Sequence, residues 1–432
     1  MRPVPPVTGT VSRVVGSDVE VRGLRLPIGA AVIVDGNNGP LLAEVVAVGE
    51  TGVRVAVLGD VTGLARGAIV RPRTGNGQPV GSSLLGRVVD ALGRPIDGRG
   101  PLEAPHRPID LPPPDALARR RISLPLPVGV RVLDLFTTLG RGQRIGLFAG
   151  SGVGKSTLLG MMARGAQADA VVICLVGERG REVREFLEDD LGDEARSRAA
   201  VVIATSDQPA LVRVRAARYA TAIAEHLADQ GLDVLFLCDS LTRFALAQRE
   251  IGLAAGEPPA ARGFTPSVFA ALPRLLERTG PRPLGTITAV YTVLVDGDDH
   301  NDPIADTVRG ILDGHVVLDR RLALAGRYPA VDPLASISRL ATKVLPAEHA
   351  ELALQARAAL SAAESVRDLV EVGAYVPGTN PVADRGLALA PALIDLCRQR
   401  VDEVSNIDDA FNALYEIMTP EPAPAVAAGW SR

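Results

Sequence analysis

The sequence predicts an α/β fold: a domain on a mostly parallel sheet, with a small all-β domain before it and a helical domain after it. Three observations carry this. From Val130 to Leu340, unbroken apolar runs alternate with stretches of helical spacing. From Val11 to Arg73, short apolar runs are broken by glycine at roughly ten-residue intervals. After Lys343 the chain becomes rich in alanine and leucine at i, i+3, i+4 spacing. The expected divisions are residues 1–75, 76–342 with 76–128 as a connector, and 343–432.

In the first division Val19-Glu20-Val21 and Val53-Arg54-Val55-Ala56-Val57 alternate, and Asn37-Asn38-Gly39-Pro40 reads as a turn, so the segment predicts a small barrel or sandwich. In the connector, Gly75, Gly77, Pro79 and the run from Pro105 to Pro114 discourage regular structure. Candidate strands of the middle division are Arg144–Phe148, Ala170–Val176, Val201–Ala204, Val234–Cys238 and Ile287–Leu294. Strands buried on both faces carry such continuous apolar runs. Ala210–Gln230 has helical spacing, as do Ala347–Leu360, Val366/Leu369/Val370 and Leu389/Leu393/Ile394/Cys397. Pro420, Pro422 and Pro424 mark a frayed tail.

Composition narrows the function. The chain has 432 residues, 47% hydrophobic and 22% charged, ample for a sizeable core. No apolar run is long enough for a membrane helix and the start is no secretory signal, so a soluble, cytoplasmic protein is expected. Cys174, Cys238 and Cys397 have neither disulfide-framework nor zinc spacing. A net charge of −4, with no long basic run and no aromatic before Phe136, argues against a nucleic-acid partner. Only two lysines occur, Lys155 and Lys343; every other basic side chain is arginine. A lysine kept in such a chain points to a task a guanidinium does badly.

Lys155 sits in the strongest motif, Ala149-Gly150-Ser151-Gly152-Val153-Gly154-Lys155-Ser156. This is the P-loop pattern, with alanine at the usual first glycine and Gly150 immediately after. Converging backbone N–H groups cradle a polyphosphate, which needs residues without obstructing side chains. The helix after it adds the positive end of its dipole. The candidate nucleotide contacts are Gly150, Ser151, Gly152, Val153, Gly154, Lys155, Ser156 and Thr157, with ATP as ligand. Lys155 supplies a point charge for the β/γ phosphates, and the Ser156 hydroxyl can ligate Mg²⁺. Val234 to Asp239 is an apolar strand ending in an acid, the Walker B arrangement, so Asp239 is the second candidate in the metal shell. Strand Ala170–Val176 ends in Gly177-Glu178-Arg179-Gly180-Arg181-Glu182, and a carboxylate there, beside the P-loop strand's own loop, is placed to act as a base. The alternative is an exposed Glu178–Arg179 ion pair.

Seven segments in order resemble the type III protein-export ATPases, relatives of the rotary ATP synthase catalytic subunits. They are the run from Gly146 through the P-loop, Gly177–Glu182, Asp239–Arg243, Gly256–Pro259, Asp299–Asp306, Tyr328–Asp332 and Ser336–Arg339. The resemblance spans about Val11 to Met418, and Gly150–Gly154 with Gly180–Val183 look more like the flagellar export ATPase than its injectisome cousin.

The resemblance implies a β-barrel, a RecA-like nucleotide domain and a C-terminal helical domain, assembled as a homohexamer. It implies Glu178 as general base, Arg179 as its neighbouring charge, Arg339 as an arginine finger into the next copy's site and Tyr328 stacked on adenine. An always-charged planar donor suits the finger. From sequence alone the lesser alternative for Arg339 is a surface arginine, while for Tyr328 a packing role fits as well as stacking. A basic stalk protein is the partner expected at the acidic stretch Asp296–Asp302, which otherwise reads as a solvated loop. A regulator, export chaperones with their cargo and a peripheral position at the membrane export gate complete the expected partners. Flagellar relatives carry a longer N-terminal extension for the regulator; the short run before Val11 argues against binding by that route. The rivals are an injectisome ATPase, a rotary synthase subunit and a hexameric RNA helicase.

Overall fold

The structure is a computed structural model that describes residues 8–73, 75, 77–295 and 302–419. It opens with β1 (Gly9–Val15), β2 (Asp18–Arg22), β3 (Ala31–Gly36), β4 (Gly39–Val48), β5 (Gly52–Val57) and β6 (Ile69–Pro72). These close into a barrel in the order β1-β2-β5-β4-β3-β6, so of barrel and sandwich the chain takes the barrel. Period-two alternation sends Val19, Val21, Val32, Val34, Val53 and Val55 inward, where aliphatic side chains fill the interior.

The connector differs from its reading as irregular chain: β7 (Val88–Asp90) lies inside it and joins the edge of the main sheet. Elsewhere arginines hold it. Arg119 Nη1 donates to Thr279 O at 2.9 Å, and Arg120 Nε to Arg282 O at 3.0 Å.

The middle of the chain runs α1 (Arg131–Phe136), β8 (Arg144–Ala149), α2 (Lys155–Gly165), β9 (Ala170–Val176), β10 (Ala199–Ala204), α3 (Ala210–Asp229), β11 (Asp233–Asp239), α4 (Leu241–Ala254), β12 (Thr286–Leu294), β13 (Gly314–Leu318) and β14 (Ile337–Ser338). The sheet order is β14-β13-β8-β12-β11-β9-β10-β7, parallel throughout except β14. Successive residues of β9 serve two cores. Val172, Cys174 and Val176 pack on the side of α3, while Val171, Ile173 and Leu175 pack on the side of α2. That is why these strands read as unbroken apolar runs.

The last part is helical: α5 (Ala347–Ser365), α6 (Pro381–Cys397) and α7 (Ile407–Met418). Ala356, Leu360, Leu393, Phe411 and Leu414 share the core that holds α2. Of the periodic trio, Val366 is buried, whereas Leu369 and Val370 stay largely exposed. Asp296–Asn301 and the proline-rich tail from Pro420 lie outside the described residues; Asp302 Oδ1 caps the helix Pro303–Ile311, accepting from Ile304 N and Ala305 N at 2.9 Å. No described helix is long and apolar enough to cross a membrane.

Candidate active site

The site forms where β8, β11 and β9 end at one edge of the sheet. β8 delivers the loop 150–154, and α2 begins at Lys155. Gly152 and Gly154 hold φ of +77° and +91°, the left-handed region that glycine adopts without a Cβ penalty. A methyl group built on Gly152 would meet nothing within 4 Å, so the loop presents open backbone. One built on Gly154 would lie 3.9 Å from Tyr328 Cδ1, which puts that half-exposed ring at the end of the loop.

Lys155 Nζ is the centre of the arrangement. It donates to Asp239 Oδ1 at 2.5 Å and to Glu178 Oε1 at 3.3 Å, all three side chains being largely buried. Burial disfavours its charge, but the two carboxylates outweigh this and hold its pKa above the usual lysine value. Asp239 Oδ1 also accepts from Thr292 Oγ1 at 2.7 Å, so β12 fixes the carboxylate. Burial pushes the Glu178 carboxyl up to about 7; Lys155 opposes this, and Asp239 and a hydrogen bond to Glu182 add to it. A carboxyl tuned there suits proton transfer near neutrality.

Glu178 does not pair with Arg179; Arg179 is exposed and donates to Glu182 Oε1 at 3.0 Å. Nor does Glu178 lie on a strand next to the P-loop strand, since β12 and β11 stand between β8 and β9; the long Lys155 side chain spans the gap. Thr157 hydrogen-bonds the Asp190 carboxylate. Arg339 is exposed at the opposite end of the sheet. Its N–H donates to Asp313 O, and Asp313 N to Arg144 O, which sets it one length of β8, about 16 Å, from its own loop. Lys343, the second lysine, is exposed and away from this cluster.

Sequence reasoning missed Arg320, whose Nη2 lies 3.4 Å from Ser151 O, and Gln399, whose N–H donates to Tyr328 O at 3.0 Å. No motif marks either residue. Arg320 reaches the loop itself and Gln399 the backbone of Tyr328, each by packing far along the chain.

The donor set fits Mg²⁺. Ser156 and Asp239 offer hard oxygens, and Mg²⁺ needs only one or two protein ligands when phosphate and water complete its shell.

Comparison with known proteins agrees with this architecture. The nucleotide-binding domain of the ATP synthase alpha/beta family matches residues 129–338, and its beta-barrel domain residues 11–74. The T3SS EscN ATPase C-terminal domain matches residues 345–416. The flagellum-specific ATP synthase of Caulobacter vibrioides is 50% identical, over 97% of this chain and 98% of the relative. That of Bacillus subtilis is 50% identical, over 95% and 94%. The assembled ATPase EscN in complex with its central stalk EscO, from the enteropathogenic E. coli type III secretion system, superposes with a TM-score of 0.89. It is 41% identical, over 95% of this chain and 100% of that one. Barrel, parallel-sheet domain and helical domain thus recur in the same order, and the chain belongs to the family of the flagellum-specific ATP synthases and type III secretion ATPases.

Proposed function

We propose that this chain is a Mg²⁺-dependent ATPase that energises type III export of flagellar protein subunits. It works as a homohexamer at the cytoplasmic face of the membrane export gate. The observation that carries the reading is Lys155, poised at the loop and held by Asp239 and Glu178. Loop N–H groups and Lys155 hold the β/γ phosphates, and Tyr328 supports the adenine. Glu178 orients the attacking water and takes its proton, with Arg179 as the neighbouring charge. Mg²⁺, held by Ser156 and Asp239, supplies charge neutralisation on the phosphate oxygens.

Arg339 is too far from its own loop to touch the same nucleotide. An identical neighbour supplying it would complete each site by repetition, which supports the ring. The stalk bound to EscN supports a stalk partner here; a regulator and chaperone–cargo complexes belong to the same reading.

Lys155→Ala should abolish phosphate release from ATP, and near-normal turnover would overturn the assignment. Deleting the gene should remove flagellar filaments. Loss of injected effectors with filaments intact would instead make this the injectisome enzyme.

A further inference from the structure

Gln399 follows α6 in the helical domain, only 6% exposed, yet it touches the nucleotide domain at three places. Its N–H donates to Tyr328 O at 3.0 Å. Its Oε1 accepts from Arg131 N at 2.8 Å, at the start of α1. Its Nε2 donates to Gly129 O at 2.7 Å and, within its own turn, to Glu403 O at 2.8 Å. One planar amide thus spends an acceptor and both donors, a set that no carboxylate, hydroxyl or ammonium can supply.

The partners are not arbitrary. Gly129, at φ +73°, backs directly onto Gly165: a methyl built on it would lie 2.8 Å from Gly165 Cα. Gly165 ends α2, and the Tyr328 ring stands at Gly154, where α2 begins. Gln399 therefore fixes the backbone that carries Tyr328 against the far end of the same helix that presents Lys155. The Tyr328 side chain is 48% exposed, so its place is set by its backbone rather than by burial of its ring.

We infer that Gln399 is a positioning residue for nucleotide-base recognition: it holds Tyr328 in register with the P-loop helix and so sets the affinity for ATP without touching ATP. This rests on the reading of Tyr328 as the adenine platform, and the test separates the two. Tyr328→Ala raises KM for ATP by about tenfold, the low end of what stacking a base on an aromatic ring contributes. If that KM does not move, the platform reading falls and this inference falls with it.

Given the platform, Gln399→Met, which loses every side-chain hydrogen bond, raises KM by about tenfold while kcat changes by less than about threefold. Inorganic tripolyphosphate, which has no base, inhibits the variant and the unaltered chain within about twofold of each other. Adding Gln399→Met to Tyr328→Ala raises KM no further, the non-additivity of residues acting as one unit. Gln399→Glu keeps the acceptor for Arg131 N and loses the donors to Gly129 and Glu403; it raises KM as well, and carries the test alone if Gln399→Met does not fold. An unchanged KM in the folded variants, equal loss of tripolyphosphate and ATP binding, or full additivity with Tyr328→Ala would overturn the inference.

Discussion

Lys155, Glu178 and Asp239 form a cluster in which one cation serves two acids. Glu178 titrates near 7 against an ordinary 4.5, chiefly because burial penalises its ionised form. In its proposed role as base it must be ionised, so kcat/KM should rise as pH increases through about 7. The stability effect has the opposite sign. A raised folded-state pKa means that the contribution of Glu178 is fully present below its unfolded value and is lost as pH climbs through the folded one. Glu178→Gln, neutral at every pH, should therefore lower kcat by about a hundredfold or more while raising the melting temperature above neutrality. Melting curves that coincide at alkaline pH would contradict this. These three residues were legible from sequence because phosphate chemistry forces particular residue types at fixed offsets from strand ends. Gln399 and Arg320 were not: what they do is decided by partners far along the chain, and neither glutamine nor arginine is rare enough to attract notice.

Among the elements, the central strands were legible because a strand covered on both faces cannot hide its apolar run, as β9 and β11 show. β7 was hidden for the converse reason. At three residues, between glycines and prolines, its strand character comes from pairing with β10 and not from its own composition. The helix α2 shows how an element is held at both ends. At its C-terminal end Arg198 donates to the carbonyls of Ala163, Arg164, Ala166 and Ala168 at 2.8–3.0 Å, satisfying groups that a helix end leaves open. There too the backbones of Gly129 and Gly165 cross in contact, while both oxygens of fully buried Asp134 accept from Val128 N and Gly129 N at 2.9 Å. Gly129→Ala would add a left-handed strain of about 1–3 kcal/mol to a direct clash. The melting temperature should drop by several degrees, and an unshifted transition would mean that the crossing relaxes freely.

For the whole molecule, the order of small all-β domain, sheet domain and helical domain was readable from texture alone, while the choice of barrel over sandwich was not. Nor was the way the parts are joined. Barrel and sheet domain meet through a largely buried pair, Arg215 Nη1 and Glu44 Oε2 at 3.1 Å, which two ordinary surface-type residues gave no reason to expect. The separation of Arg339 from its own loop belongs to this scale too, and yields a test of the ring. Chains carrying Glu178→Gln and chains carrying Arg339→Ala should each be inactive alone. Mixed and reassembled in equal amounts, about a quarter of the interfaces would join an intact base to an intact finger. Phosphate release should return to a comparable fraction of normal; mixtures as inactive as their components would exclude a finger supplied by the neighbour.

The barrel closes on itself, and the rims of the central sheet are stubs: three residues in β7 and two in β14. Unclosed strand margins are templates on which foreign extended polypeptide can zip up. A machine that handles loosened cargo, as proposed above, meets such polypeptide constantly. Among the described strands this chain exposes no long margin on which such polypeptide could be recruited into its own sheets.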